Sequence, residues 1–388
     1  MNSKVILVAN TGFALHNFRL PLMKYLSDRG WEVALVANDE ADYAAIFGKL
    51  GYRFIDIAVD HKGKNPMRDL LLTLRLSRLY EQEAPRLVHH FTIKPVIFGT
   101  LAARLANVPA IVNTITGLGY VFLKGGLLGR LVAGLYKIAL YGRPRVIFQN
   151  SDDYRFFVSR RILKKRQGFI VQGSGVDTQK ILPSRTKMRR SSVRFVLISR
   201  MLWSKGVKEY VTAAKVVKES YPQCEFIMAG GHSGGGATGN PESVPMEWLR
   251  ETNKQGIVKW VGRVPYEAVM KLLDQASVIV LPSYREGVPK SLIEAAATGK
   301  PIITTDVPGC REVVQDCVNG FLVPVKDVDA LVDRMVGFIR KPDLAEEMGK
   351  ESRKRAEALF DGRIVLAKTA LVYGHAGVRL RSHVGSRE

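Results

Sequence analysis

Between Ala84 and Ser151 the chain carries no aspartate or glutamate. That gap belongs to a wider asymmetry: 58 Lys and Arg stand against 36 Asp and Glu, a formal net charge of +22. Up to Arg190 the count is 30 basic to 13 acidic, or +17; beyond it, 28 to 23, or +5. A basic half calls for an anionic partner, which can be nucleic acid, anionic lipid or a phosphorylated substrate. Cysteine is scarce as well. Cys224, Cys310 and Cys317 lack metal-ligand spacing and suggest a reducing, cytoplasmic compartment. No apolar run reaches the length of a membrane-spanning helix, and the first residues enter a strand without a signal-peptide pattern. The first loop, Asn10 to Arg19, lacks Gly-x-Gly-x-x-Gly, which weakens a dehydrogenase reading. Its single glycine, Gly12, still permits close approach of a phosphate.

What is present points to two α/β domains. A hydrophobic content of 46% and a mean hydropathy near zero are those of a soluble globular protein, and 388 residues suffice for two cores. Apolar strands alternate with helices from Lys4 onward, and the pattern restarts at Val193, as expected of two parallel sheets. The polar stretch Thr178 to Ser192, with Pro183, reads as the linker. Gly230 to Pro245 is Gly-rich and reads as a surface insertion.

The most informative stretch is Ser283 to Pro301. The apolar run Ala276 to Leu281 predicts a buried strand, Ser291 to Thr298 a helix, and Tyr284 to Lys290 the tight loop between them. Free amides at the helix start favour an anion. Glu286 and Glu294, one in the loop and one in the helix, add acceptors for hydroxyls. Amide donors flanked by carboxylates suit a nucleotide sugar. Ser291-Leu-Ile-Glu294 also matches a capping box, in which Glu294 merely satisfies its own helix. Earlier, Phe195 to Ser199 delivers Arg200 at a strand end and Lys205 at the next helix, a cation pair suited to a diphosphate. Gly230 and Gly262, the latter followed by Arg263, end two further strands where a nucleotide can come close.

In the first half, His89-His90-Phe-Thr-Ile-Lys94 ends a strand at the sheet's carboxyl edge. Adjacent strand residues point to opposite faces, so the two histidines cannot share a metal. His90 and Lys94 are either substrate contacts or structural residues. Arg19 reads as a solvated residue. Leu127 to Arg145 has a broad apolar surface with only basic charges, including Arg130. Leu131 and Leu135 belong to that surface, which is either a helix in a membrane interface or a core helix. The cluster Arg160, Arg161, Lys164, Lys165 and Arg166 favours the membrane. Nucleic acid is disfavoured, because the basic segments are interleaved with aliphatic rather than exposed aromatic residues.

Glu286-x7-Glu294 with Gly287-Val288-Pro289, Ser-Arg200-x4-Lys205-Gly, and Asn113 to Phe122 together resemble the family 4 retaining glycosyltransferases, specifically their CapM-like branch. The resemblance implies a GT-B fold: two facing Rossmann-like domains, residues 1–182 and 183–359, with a cleft between them. The helix from about 360 would pack back on the first. It implies transfer of a sugar from a UDP-sugar, with retention and without a required metal. Arg200 and Lys205 would hold the leaving diphosphate, Glu286 the sugar and Glu294 the ribose. Gly12, Gly230, Gly262, Arg263, Gly287, Val288, Pro289 and Ser291 would line the donor. The acceptor would be a polyprenyl-diphosphate-linked saccharide at the inner face of the cell membrane, near Asn17, Lys62, Lys64, His90, Lys94, Thr116 and Lys124. Many relatives place a histidine where this chain has Thr114 and Thr116. A UDP-sugar 2-epimerase and a non-catalytic membrane-docking protein are the rival readings.

Overall fold

The computed structural model describes residues 3–59, 65–118, 122, 126–184, 192–232 and 240–380. The chain divides into two units, Met1–Ser174 with Gly362–Glu388, and Gly175–Asp361. The crossing lies earlier than the 182/183 boundary read from the sequence. Arg353 is the reason: its guanidinium donates to the carbonyls of Thr178 at 2.7 Å and Ile181 at 2.6 Å, binding that stretch into the second unit.

The first unit is built on seven parallel strands: β1 Lys4–Thr11, β2 Glu32–Asn38, β3 Arg53–Asp56, β4 Leu87–Phe91, β5 Ala110–Ile115, β6 Arg145–Phe148 and β7 Gly168–Ile170. Their order is β3-β2-β1-β4-β5-β6-β7. Burial on both faces explains the unbroken apolar run Val5–Val8. Val5 and Leu7 join a cluster with Leu15, Leu22 and Met23 of the first helix, whereas Ile6 and Val8 join Leu72, Leu76 and Tyr80 of helix Pro66–Glu83. The first helix is Gly12–Ser27, so most of the loop read over Asn10 to Arg19 is helical. Thr11 sets that start by accepting a hydrogen bond from the Ala14 amide at 3.2 Å. The last helix, Gly362–His375, contributes Val365, Val372 and Tyr373 to the cluster of β1.

The second unit carries six parallel strands: β8 Arg194–Ile198, β9 Glu225–Ala229, β10 Lys259–Trp260, β11 Val278–Leu281, β12 Ile302–Thr305 and β13 Gly320–Val323. Their order is β10-β9-β8-β11-β12-β13. In both sheets the order reverses beside the first strand, between β1 and β4 and between β8 and β11. That is the Rossmann arrangement, and ligands bind at the carboxyl ends flanking such a reversal.

Candidate active site

In the second unit the reversal brings the carboxyl ends of β8 and β11 together. After β8 the chain passes Ser199 and Arg200 and makes a short turn, Trp203–Lys205. It then enters helix Val207–Ser220 through Gly206. Gly206 has φ +73°, and a Cβ there would lie 2.1 Å from the Pro282 carbonyl oxygen. Only glycine lets the turn sit this close to the strand end opposite. Gly230, after β9, is under the same constraint: φ is +150° and a Cβ would fall 1.6 Å from the Ser199 carbonyl oxygen. The two positions hold the β8 loop between its neighbours.

Lys205 meets the loop that follows β11. Its Nζ lies 2.5 Å from Glu286 Oε1, and Ser283 Oγ donates to the same oxygen at 2.8 Å. Arg200 is exposed and makes no ion pair or side-chain hydrogen bond with the described residues. Gly262 takes a left-handed turn at φ +70°, and Arg263 beside it is exposed. Gly287 and Val288 are half-buried, and Pro289 is the N-cap of helix Lys290–Ala297.

Glu294 lies inside that helix, and the capping-box reading fails. With Pro289 as N-cap, Ser291 is a helical residue, and no side chain caps the start. The Glu294 carboxylate is buried, and its Oε1 accepts no hydrogen bond. Lys290 Nζ lies 3.8 Å away. Burial pushes the carboxyl above its usual range, against the pull of Lys290 and the Tyr266 hydroxyl. A buried acceptor without a donor costs about 1–3 kcal/mol, so it marks a place where a ligand hydroxyl would be welcome.

The first unit rearranges several expected contacts. His90 is a core residue: Nδ1 meets Asn113 Oδ1 at 2.9 Å and Nε2 meets the Tyr80 hydroxyl at 3.0 Å. Its full burial leaves no face for a substrate. His89 is equally enclosed, between the Tyr373 hydroxyl at 2.8 Å and Thr114 Oγ1 at 2.7 Å. Lys94 is held by Asp69 at 2.6 Å, so it is not the open cation the sequence suggested. The Gly12 and Phe13 amides both donate to Glu40, each at 3.2 Å, so a side-chain carboxylate already fills the anion position expected there. Arg19 is not solvated: it is half-buried, with its guanidinium 4.1 Å from the Phe91 ring centroid. Asn17 is exposed on the first helix, and Thr116 is half-buried after β5. Lys62, Lys64 and Lys124 lie outside the described residues.

Helix Gly126–Ala139 is amphipathic in an unusual sense. Tyr136 and Ala139 are buried, and Leu135, expected at the surface, packs half-buried against the core. Yet Leu127 is 83% and Leu131 59% exposed, with Ile138 and Tyr141 continuing the stripe and Arg130 and Lys137 beside it. Among the described residues no helix is long and apolar enough to cross a membrane.

Residues 183–355 match the family model "Glycosyl transferases group 1", and residues 4–150 match "Glycosyl transferase 4-like". The chain is a family 4 glycosyltransferase. Its relatives include the N,N'-diacetylbacillosaminyl-diphospho-undecaprenol α-1,3-N-acetylgalactosaminyltransferase of Campylobacter jejuni, 25% identical over 94% of this chain and 97% of the relative. The capsular polysaccharide biosynthesis glycosyltransferase CapM of Staphylococcus aureus is 23% identical over 91% and 93%. Among solved structures, Anabaena HepE in complex with UDP-glucose superimposes with a TM-score of 0.76 at 15% identity, covering 96% of this chain and 99% of that one. The fold of this glycosyltransferase is GT-B.

Sequence reasoning missed three residues that shape the glycosyltransferase's second-unit site. Ser283 shares Glu286 with Lys205, Tyr266 approaches Glu294, and Glu209 accepts from the Tyr284 hydroxyl at 2.8 Å. Ser283 stands within the stretch already singled out, and its spacing from Glu286 was a usable signal. Tyr266 and Glu209 belong to other helices, and only the tertiary fold brings them near.

Proposed function

We propose that this glycosyltransferase moves a sugar, with retention, from a UDP-sugar to a polyprenyl-diphosphate-linked saccharide at an anionic membrane surface on the cytoplasmic side. The observation that carries the donor half is the set of groups after β8 and β11: exposed Arg200, the Lys205–Glu286 pair and the buried carboxylate of Glu294, whose Oε1 accepts no hydrogen bond. As the bond from the anomeric carbon to the diphosphate oxygen breaks, negative charge grows on the leaving group. Arg200 and Lys205 stabilise it, without a required metal. Glu294 receives ribose hydroxyls and Glu286 sugar hydroxyls. The acceptor half is supported by the relative that acts on a diphospho-undecaprenol saccharide. An N-acetylhexosamine is the leading donor sugar.

The docking half rests on two helices of the first unit. Besides the Leu127, Leu131, Ile138 and Tyr141 stripe, helix Pro66–Glu83 exposes Met67, Leu70, Leu71 and Leu74, with Arg68, Arg75 and Arg78 beside them. Apolar side chains spaced i, i+3, i+4 and i+7 form one face. Both helices pack on the segment Pro95–Gly99. Exposed apolar stripes rimmed by arginine and lysine suit the headgroup layer of an anionic leaflet.

The test is purified enzyme with UDP-GalNAc, UDP-GlcNAc and UDP-glucose, with and without an undecaprenyl-diphosphate-linked saccharide in vesicles. UDP release that requires the lipid-linked saccharide, with a lengthened glycan product, is the expected result. Sugar isomers released without acceptor would overturn the transferase assignment to this acceptor class and favour an epimerase.

A further inference from the structure

Lys205 and Glu286 are assigned above to opposite ends of the donor, the diphosphate and the sugar, yet they hold each other. Nζ and Oε1 are 2.5 Å apart, and the side chains are only 16% and 12% exposed. Ser283 Oγ donates to that same Oε1 at 2.8 Å, so the oxygen is doubly engaged. Among the described residues Lys205 Nζ has no other side-chain partner. An open surface pair would be weak and easily exchanged. At this burial the attraction is stronger, and a ligand must compete for the cation. Arg200, exposed and without an ion pair among the described residues, meets a diphosphate with no such competition.

We infer that Glu286 is a built-in competitor for the diphosphate site, so that the enzyme holds the intact sugar nucleotide in preference to the free nucleoside diphosphate. The inference rests on the donor reading above. A diphosphate that takes Lys205 leaves Glu286 as a second anion close to the first. With UDP alone that carboxylate loses its cation and gains only the Ser283 hydrogen bond it already had. With a UDP-sugar it gains hydroxyl donors from the sugar, and these replace the lost ion pair. The exchange therefore couples the two ends of the donor through one carboxylate. After transfer the sugar hydroxyls leave, Glu286 recovers Lys205, and UDP is weakened as a product.

Isothermal titration calorimetry on the full chain tests this, with UDP and with UDP-GalNAc, UDP-GlcNAc and UDP-glucose in the absence of acceptor. Glu286→Gln keeps an oxygen for Ser283 but frees Lys205, so it binds UDP about tenfold more tightly than wild type. It also loses the preference for a sugar nucleotide over UDP. In Glu286→Gln combined with Lys205→Met the gain for UDP disappears, a non-additive result because the pair acts as one unit. Glu286→Ala gives the same direction if the glutamine variant folds poorly. Should folded Glu286→Gln and Glu286→Ala bind UDP no better than wild type, the competitor role is overturned while the donor site stands. If wild type and Arg200→Ala bind neither UDP nor any of the three sugar nucleotides differently from buffer, the donor reading falls and takes the inference with it.

Discussion

Glu294 combines a buried carboxylate with an oxygen that accepts no hydrogen bond. Such a group is unfavourable to stability until something donates to it. Glu294→Gln removes a charge that burial disfavours, so we expect the empty enzyme to gain about 1 kcal/mol, read as a higher Tm. Nucleotide affinity should fall tenfold or more. A variant that loses stability and keeps its nucleotide affinity would show Glu294 to be structural. The buried histidines give a pH dependence of definite sign. Burial pushes His90 down to about 4 from 6.5, and His89 shifts the same way, for the same reason and because Arg19 lies near it. In the fold both rings resist protonation, while in the unfolded chain they take up protons near pH 6.5. The unfolded state therefore binds more protons between those values, and stability falls as the pH drops through that window. For His90 alone the loss between pH 7.5 and pH 5 is about 2 kcal/mol. Urea midpoints at pH 7.5 and pH 5 measure it, and a His90→Gln variant should show a smaller difference between them.

The helix Gly126–Ala139 has two populations of leucine, and they should respond differently. Leu127 and Leu131 face outward, whereas Leu135, like Val132 and Ala133, packs half-buried against the core cluster that contains Tyr136 and Phe157. In vesicle flotation, wild type should rise with anionic liposomes, and less at high salt because the basic rim is screened. A Leu127→Asp, Leu131→Asp double variant should keep its melting behaviour and stop floating. Leu135→Asp should instead destabilise the fold by about 2–4 kcal/mol, since it puts a charge into packed apolar surroundings. Equal flotation of wild type and the outward double variant would remove this helix from the docking surface. The basic residues Arg160, Arg161, Lys164, Lys165 and Arg166 are exposed. Gln167 Nε2 ties their turn to the helix end by donating to the carbonyls of Leu140, Gly142 and Pro144 at 2.9, 3.0 and 3.1 Å.

At the scale of the whole molecule the chain visits the first unit twice. Gly362–His375 returns to it and buries Val365, Val372 and Tyr373 with β1 and β4, while Tyr373 completes the polar partners of His89. Truncation after Asp361 should therefore unfold or aggregate the first unit even though every residue of its sheet remains. Near-UV circular dichroism on the truncated chain would read this, and a native spectrum with unchanged Tm would refute it. Tyr373→Phe is the milder case, expected to cost about 1 kcal/mol for one lost hydrogen bond.

The linear sequence determined the alternation of strands and helices, because a doubly covered strand must be apolar on both faces and a covering helix on one. It also determined the strand, loop and helix around Glu286 and Glu294, since the signals there are local: an apolar run, then Gly and Pro, then a helical pattern. Arg200 and Lys205 could be read for the same reason. Tertiary structure alone decided what each charge does when no ligand is bound. That Lys205 pairs with Glu286, Lys94 with Asp69, and Glu40 with the Gly12 amide depends on which loops meet at a sheet edge. Those meetings join residues far apart along the chain, and no local periodicity encodes them. The same holds for His90. A histidine at a strand's carboxyl end looks like a ligand until Asn113 and Tyr80 close around it. Burial and partnering are set by the packing of distant elements, and they divide the residues open to a substrate from those that hold the fold.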